Sequence, residues 1–256
     1  MRGRGLAAWV VWPLIAVVLA LLYLPLLPPL LFSVTGETGW TLRWYPELFR
    51  TPLVLASMRT TILLGVIVAV LAPVLGLLAA MAVRDFPAKR FVLLLMLMPL
   101  FIPGVSMGLA TAFLFRLLGL PPSIPAMIVV QLLWVLPFAT LIIMTSMSTF
   151  DTAYLEAARL CGATRWQAFR DIEFPLIRRG ISGAAIFSLV LSVNETVRTS
   201  IVQGPWNTIQ TYVWSTYKQV GLSPVLYALM GLMILVTLAI SATFLLAGRR
   251  RAGAAA

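Results

Sequence analysis

The sequence predicts an all-α protein that crosses a membrane several times, and three observations carry this prediction. First, 61% of the 256 residues are hydrophobic and only 11% are charged. Second, the mean hydropathy is +1.00, which is outside the balance of a soluble globular domain. Third, the apolar residues form successive runs of about 20 or more, long enough for a helix to cross a hydrocarbon core. We therefore expect a single transmembrane domain over residues 1–256.

Six spans are predicted from long apolar runs bounded by charges or by Gly and Pro clusters. They cover residues 7–32, 57–82, 91–117, 124–147, 181–202 and 225–247. The first run is too long for the apolar region of a secretory signal and has no small-residue cleavage site. It is therefore predicted to be a retained transmembrane helix. Prolines at 73, 99, 103 and 137 are expected to interrupt several spans.

Lys and Arg side chains are distributed unevenly between the two ends of the predicted spans. One side carries Arg2, Arg4, Arg84, Lys89, Arg90, Arg159, Arg165, Arg170, Arg178, Arg179 and Arg249 to Arg251. The other side carries only Arg43, Arg50, Arg59 and Lys218. Because positively charged loops stay on the cytoplasmic side, both chain termini are expected in the cytoplasm.

The residue inventory excludes several kinds of site. There is no histidine and one cysteine, Cys161, so we expect neither a disulfide framework nor a metal site built on imidazole. The net charge of +11 does not indicate a nucleic-acid partner, because the basic residues lie at the ends of apolar runs. No G-x-x-x-x-G-K-[ST] phosphate loop occurs, so the chain is not expected to bind ATP in that manner.

Residues 148–180 form the longest predicted cytoplasmic connection, and they break the apolar pattern. Asp151 is expected to cap a short helix that runs through Leu160. Gly162 is expected to end this helix, since glycine adopts a left-handed conformation without steric cost. Two short helices joined at this glycine would lie along the membrane face.

The second of these helices has its own start and stop signals. Thr164 and Gln167 have the spacing of a capping box. The helix is expected to end near Pro175, because the residue before a proline is disfavoured in the helical conformation.

The same connection contains a longer spaced motif. It reads Glu156-Ala157-Ala158, three residues, Gly162, nine residues, Ile172, one residue, and Phe174-Pro175. This pattern resembles the EAA loop of ABC importer permeases, with Phe174 in place of that family's leucine. We call residues 148–180 the coupling loop.

The resemblance implies a set of partners and a location in the bacterial inner membrane. Two ABC ATPase subunits would dock on the coupling loop at the motif residues and at Ala163, which follows Gly162. The ATPase, rather than this chain, would bind ATP and Mg, so no cofactor is expected here and the chain would not be an enzyme. A second, related permease subunit and an extracytoplasmic substrate-binding protein would complete the assembly.

The residue types in the motif suit a docking role. Ala157 and Ala158 allow close approach of another surface, Glu156 can pair with a basic group, and Gly162 fixes the angle between two short helices. The alternative is an interfacial helix, with Phe169 and further apolar residues of the loop resting among lipid headgroups.

Within this family the chain is most similar to the polyamine permease subfamily. The resemblance depends on Trp44-Tyr45, Asn194-Glu195, Gly204-Pro205 and the stretch from Val220 to Pro224. It implies a substrate such as spermidine or putrescine. Another small organic solute, amino-acid-like or phosphonate-like, is the alternative.

Ionisable groups inside a span are costly and usually face the protein interior or water. Glu195 and Arg198 fall within the predicted fifth span, next to Asn194. Asn194, Glu195 and Arg198 are therefore candidates for lining the substrate path. Asn194 and Glu195 would favour an amine there, whereas Arg198 would offset that attraction. Alternatively, Glu195 and Arg198 neutralise each other, since they are three residues apart on a helix. Arg116, in the third span, is expected to extend to the outer interface.

Two further classes of membrane protein fit the sequence less well. An ion-coupled secondary transporter would show broken helices and charges within spans, but it predicts an internal repeat that the sequence lacks. An intramembrane enzyme would need a nucleophile and a base, and no such group of residues is present.

Aromatic residues are concentrated in the last predicted outer loop, at Trp206, Tyr212, Trp214 and Tyr217. They could contact a docked binding protein, because aromatic side chains anchor interfaces. They could equally form the aromatic belt at the membrane boundary.

Overall fold

A computed structural model describes residues 4–36 and 39–253, with side chains described for residues 9–36 and 39–239. The side chains of Arg2, Arg4 and Arg249 to Arg251 lie outside this description. The orientation that depends on them therefore stays a prediction.

Helices dominate the described residues, as predicted. They are α1 (Arg4–Tyr23), α2 (Leu27–Ser33), α3 (Trp44–Arg50), α4 (Pro52–Asp85), α5 (Lys89–Leu97), α6 (Gly104–Leu117), α7 (Ile124–Met147), α8 (Ala153–Leu160), α9 (Arg165–Ala168), α10 (Phe174–Val193), α11 (Val197–Val202), α12 (Ile209–Val220) and α13 (Pro224–Gly253). Short 3₁₀ turns lie at Leu24–Leu26 and Met98–Phe101, and a π-helical turn lies at Phe169–Glu173. Two antiparallel strands, β1 (Thr35–Gly36) and β2 (Gly39–Trp40), pair Thr35 with Trp40.

Within the described residues, four helical segments are long and apolar enough to cross a membrane. They are Trp9–Ser33, Pro52–Asp85, Ile124–Met147 and Arg165–Val193. A fifth is added if α5 and α6, with the 3₁₀ turn between them, count as one span. The described apolar part of α13, Pro224–Ala239, is shorter than these. The predicted count of six spans therefore stays a prediction.

The predicted third span, residues 91–117, is not one straight helix. The two segments Lys89–Phe101 and Gly104–Leu117 are bent by 101° at Ile102 and Pro103. Ile102 has an extended backbone, because a proline disfavours the helical conformation in the residue before it. In contrast, α4 continues through Pro73 and α7 through Pro137, so the prediction of breaks at these prolines is wrong.

The predicted fifth span, residues 181–202, is also wrong in its bounds. The helical segment begins earlier, at Arg165, and α10 ends at Val193. A separate short helix, α11, follows after three residues. Apolar composition continues through this break, so composition alone did not reveal it.

The described chain forms two compact units. One unit comprises the described parts of residues 1–55 and 213–256. In it, α13 approaches α2 and α3 closely at Gly231, where a Cβ would lie 3.3 Å from Ser33 Cβ. The hydroxyls of Ser33 and Tyr45 lie 2.9 Å apart and join α2 to α3.

The other unit comprises residues 56–212 and contains both candidate sites. Its core has two buried clusters. One joins α4, α7 and α10 around Val68, Val135 and Ile177, which are fully buried. The second joins α4, α6, α7 and α11 around Leu64, Met127 and Val202. Helix α7 contributes to both clusters and is the central element of this unit.

Candidate coupling loop and translocation path

Helix α8 carries the first part of the motif and leaves most of its side chains exposed. Asp151 Oδ1 accepts a hydrogen bond from the Ala153 backbone N–H at 2.9 Å, which satisfies one free donor at the helix start. Leu155 is buried, whereas Glu156 and Ala157 are exposed and Ala158 is partly buried. The helix is therefore held by Leu155, and its Glu156 and Ala157 side chains are free for contacts with another molecule.

Large apolar side chains are exposed around these residues. Ala157 lies three residues from both Tyr154 and Leu160, so it neighbours both on the helix surface. Tyr154 is exposed and Leu160 is 90% exposed; Trp166, in α9, is exposed as well. Exposed apolar groups that lie together are typical of a surface that contacts another protein or a membrane.

Gly162 forms the corner between α8 and α9. Its φ is +86°, in the left-handed region that favours glycine, as the sequence predicts. A Cβ at this position would meet nothing within 4 Å, so the backbone conformation rather than crowding requires glycine. Ala163, the next residue, is partly buried.

The predicted capping box at the start of α9 is confirmed. Thr164 Oγ1 accepts from the Gln167 backbone N–H at 3.3 Å, and Gln167 Oε1 accepts from the Thr164 backbone N–H at 2.8 Å. The prediction that the helix ends near Pro175 is wrong. The chain passes through the π-helical turn Phe169–Glu173 into α10, and Pro175 lies in the first turn of α10, where its missing N–H is tolerated.

This continuity connects the motif directly to a candidate span. Ile172 is partly buried in the π-helical turn, and Phe174 and Pro175 are exposed at the start of α10. The segment Arg165–Val193 has the length and composition to cross a membrane. Helix α9 is therefore joined to α10 without an intervening loop.

An ion pair joins the same turn to α4. Arg84, at the end of α4, donates from Nη1 to Glu173 Oε1 and from Nε to Asp85 Oδ1, the latter at 2.8 Å. The Glu173 side chain is only 3% exposed. A buried carboxylate of this kind needs its partner, because an unpaired charge in the interior is costly.

A polar cavity of about 330 Å³ lies beside this ion pair. Leu155 and Arg159 of α8 line it from one side, and Arg165 and Ala168 of α9 line it from another. The remaining lining residues are Met81, Arg84, Asp85, Phe169 and Glu173. The coupling loop thus meets the end of α4 at a polar junction rather than at a packed apolar core.

The three candidate path residues do not lie inside one helix: Asn194 and Glu195 lie at the break between α10 and α11, and Arg198 lies in the first turn of α11. Asn194 is exposed, and its Nδ2 donates to the Val190 carbonyl at 2.8 Å. Glu195 is buried, and its two oxygens accept from two groups of Arg198, the backbone N–H and Nη1, each at 2.8 Å. The structure therefore forms the Glu195–Arg198 ion pair that the sequence suggested.

The Arg198 guanidinium is enclosed by residues that the sequence did not single out. Its Cζ lies 4.0 Å from the centre of the Trp134 ring of α7. On the α6 side, a Cβ at Gly104 would lie 3.2 Å from Arg198 Cζ. Arg198 Nε is buried and has no hydrogen-bond partner.

A buried hydrogen-bond network supports the break from the side of α7. Gln131 is fully buried; its Nε2 donates to Thr199 Oγ1 at 3.0 Å, and its Oε1 accepts from Ser192 Oγ at 2.5 Å. Ser192 belongs to α10 and Thr199 to α11. The Gln131 side chain of α7 is therefore hydrogen-bonded to the end of α10 and to α11, on either side of the break.

Helix α6 approaches α11 closely through two glycines spaced four apart. A Cβ at Gly108 would lie 2.6 Å from Ile201 Cδ1 and 3.2 Å from the Arg198 carbonyl oxygen. Gly104 and Gly108 form a G-x-x-x-G pattern, which lets helices in membranes pack closely. This spacing is the sequence signal from which the contact could have been predicted.

Arg116 lies near the other end of α6 and is exposed. It lines a separate, mostly apolar cavity of about 520 Å³ together with Phe115, Leu120 and Pro122. This cavity does not include the candidate path residues. Among the outer aromatic residues, Trp206, Trp214 and Tyr217 are exposed, as both a binding-protein contact and an aromatic belt require.

The family of the chain follows from comparison with known proteins. The sequence profile of the family described as "Binding-protein-dependent transport system inner membrane component" matches residues 62–251, so the chain belongs to this family. The predictions of an ABC importer permease and of an inner-membrane location are thereby confirmed.

Individual relatives agree with the predicted subfamily. The spermidine/putrescine transport system permease protein PotC of Escherichia coli (strain K12) is 27% identical over 228 residues, which cover 86% of each chain. The putrescine transport system permease protein PotI of the same strain is 27% identical over 229 residues, which cover 83% of this chain and 81% of that one.

A solved structure shares the fold. A bacterial alginate ABC transporter in complex with an alginate pentasaccharide-bound periplasmic protein contains a chain that superposes with a TM-score of 0.72. The match covers 91% of both chains at 17% sequence identity. At this identity the likeness establishes the fold alone.

Proposed function

We propose that the chain moves a polyamine such as spermidine or putrescine across the inner membrane as one permease subunit of an ATP-driven importer. The single observation that supports this most is the identity of the relatives PotC and PotI over more than four fifths of the chain. Both are described as permeases for spermidine or putrescine.

The proposal includes four partners and places both chain termini in the cytoplasm. Two ATPase subunits, which bind ATP and Mg, dock on the exposed residues of α8 around Glu156 and Ala157. A second, related permease pairs with this chain. An extracytoplasmic binding protein delivers the solute. In support, the alginate transporter named above is in complex with a periplasmic protein that has an alginate pentasaccharide bound.

Docking at α8 gives the coupling loop a mechanical role. ATPase closure displaces α8 and, across the Gly162 corner, α9. The displacement reaches α10 through the π-helical turn and α4 through the Arg84–Glu173 ion pair. The break between α10 and α11, with Asn194, Glu195 and Arg198, then changes its exposure to the solute.

One observation favours a second candidate for the solute. Both oxygens of Glu195 are bonded to Arg198, so the carboxylate does not present a net negative charge. An amino-acid-like or phosphonate-like solute would tolerate such a site better than a polycation does. The fold and the docking role would be the same for either solute.

The test is purification of the chain from its native membrane in mild detergent, identification of bound proteins, and uptake of labelled putrescine by the reconstituted complex. We expect an ATPase with a phosphate loop, a second permease, and ATP-dependent uptake. The variants Glu156→Lys and Gly162→Asp should remain in the membrane but lose ATP-dependent uptake. The control is Gly119→Asp, at another exposed glycine, which should keep it.

Two outcomes would overturn parts of the proposal. Recovery of the chain alone, with transport that survives ATP depletion, would indicate an ion-coupled carrier. A Glu195→Gln variant with unchanged uptake kinetics would remove Glu195 from the path and leave it as a structural partner of Arg198.

A further inference from the structure

The surroundings of the Arg198 guanidinium have the composition of a site for an organic cation. A carboxylate oxygen, Glu195 Oε2, lies 2.8 Å from Nη1 on one side. The face of an aromatic ring, Trp134, lies 4.0 Å from Cζ. Proteins bind ammonium groups with this combination of an anion and an aromatic face. Here a cation of the chain itself occupies the position.

The two oxygens of Glu195 are held in different ways. Oε1 accepts from the Arg198 backbone N–H, which belongs to the first turn of α11. Oε2 accepts from the far end of the Arg198 side chain. If the guanidinium moves away, the backbone hydrogen bond still fixes the carboxylate. Glu195 would therefore present Oε2 in a fixed position to another donor.

The guanidinium itself is incompletely satisfied. Its Nε is buried without a hydrogen-bond partner, which is costly for a charged donor group. Gly104 lies next to Cζ and has no side chain, so it offers the guanidinium no side-chain acceptor. Both features lower the free-energy cost of moving the Arg198 guanidinium away from Glu195 and Trp134.

No other carboxylate in this part of the chain can pair with a cation. Glu195 is the only Asp or Glu within residues 174–256, and none occurs within residues 86–150. An isolated buried carboxylate would be strongly unfavourable without a counter-ion. A cation supplied by the chain keeps the site neutral whenever the solute is absent.

We propose that Glu195 Oε2 and the Trp134 ring form a subsite for a primary ammonium group of the transported solute, and that Arg198 occupies this subsite until the solute displaces it. This inference rests on the proposed polyamine function and deepens it. Arg198 then sets the apparent affinity, because the solute must compete with a tethered guanidinium. Trp134 becomes a specificity residue for the cation.

The test measures putrescine uptake by the whole reconstituted importer as a function of concentration. Arg198→Met keeps the length of the side chain and removes its charge, so we expect KM to fall about three- to tenfold as the competitor is lost. Arg116→Met, at an exposed arginine outside the site, should leave KM unchanged. Adding Trp134→Leu to Arg198→Met should raise KM again.

A second variant tests the same idea with Arg198 in place. In Gly104→Ala the new Cβ would lie 3.2 Å from Arg198 Cζ and press on the guanidinium. We expect KM to fall as well, whereas Gly183→Ala, whose Cβ would meet only Ile142 Cγ2 at 3.9 Å, should not change it.

Two results would overturn the subsite, and they are distinguishable. If the wild-type importer takes up putrescine but Arg198→Met and Gly104→Ala raise KM, Arg198 is a structural clamp and not a competitor. If the wild-type complex contains its ATPase but takes up no polyamine, both the subsite and the polyamine assignment fail, while the importer assignment stands.

Discussion

Arg84 and Glu173 form an ion pair although they are 89 positions apart in the sequence, with the Glu173 side chain buried and the Arg84 side chain partly exposed. Arg84 lies in the last turn of α4, and Glu173 ends the π-helical turn that follows the start of the coupling motif. The pair is the polar connection between the loop proposed to bind the ATPase and a helix long enough to cross the membrane. Removing the ion pair therefore tests both the stability of the fold and the coupling of ATP hydrolysis to transport.

Loss of one partner of this pair should be more harmful than loss of both. Arg84→Met leaves Glu173 as a buried, unpaired carboxylate, and such changes cost about 3–5 kcal/mol. The double variant Arg84→Met/Glu173→Met removes the stranded charge and should recover much of that stability. Thermal unfolding of the detergent-solubilised protein measures both.

The Arg170–Asp171 pair in the same turn provides a matched control, because both side chains are more than half exposed. Asp171→Asn should change the unfolding temperature little, since exposed ion pairs contribute little. If the double variant recovers stability but transports less solute for each ATP hydrolysed, the pair also has a coupling role. An equal loss of stability in the single and double variants would contradict the assigned burial of Glu173.

Gly162 should be sensitive to substitution for a conformational reason. Gly162→Ala places a Cβ in open space but in the left-handed region, which costs about 1–2 kcal/mol. Gly119→Ala meets the same penalty, at φ +70° and also without neighbours, in a loop outside the coupling region.

Both variants should therefore lose similar stability, but only Gly162→Ala should weaken retention of the ATPase during purification. The amount of ATPase recovered per mole of permease measures this difference. Equal retention in the two variants would show that the angle between α8 and α9 does not matter for docking.

The contact between α6 and α11 should depend on Gly108. In Gly108→Ala the Cβ would lie 2.6 Å from Ile201 Cδ1 and 3.2 Å from the Arg198 carbonyl oxygen, so the helices must separate. Such overpacking costs about 1–3 kcal/mol. Adding Ile201→Val removes Cδ1 and should restore part of the stability, but not all, because the backbone contact remains.

The control for this prediction is Gly183→Ala in α10, where there is room for a Cβ. It should not lower the unfolding temperature. A full rescue of Gly108→Ala by Ile201→Val would indicate that the backbones are not as close as described.

The sequence predicted those features that depend on neighbours along the chain. The bounds of α7 match the predicted span 124–147, and the capping box of Thr164 and Gln167 and the left-handed Gly162 were predicted correctly. Each of these is determined by residue types within a few positions. The motif that indicated the family belongs to the same category.

Features that depend on distant residues were missed. The break after Val193 lies in an apolar stretch, and it is stabilised by Gln131 and Trp134 of α7, which no local pattern connects to it. The ion pair of Arg84 and Glu173 could not be predicted for the same reason. The continuation of α9 into α10 was missed because a proline such as Pro175 usually stops a helix, whereas a first-turn proline is compatible with one.

The most direct test of the proposed docking role is a crosslink from a single cysteine on α8. The native Cys161 is exposed and is first replaced in Cys161→Ser. Ala157→Cys then introduces a thiol at the exposed centre of the motif, and Ser200→Cys, in α11, introduces the control thiol. Treatment of native membranes with a short thiol-to-amine crosslinker should join only the residue 157 variant to the ATPase. Recovery of the ATPase on the control, or on neither variant in membranes with ATP-dependent uptake, would contradict docking at the coupling loop.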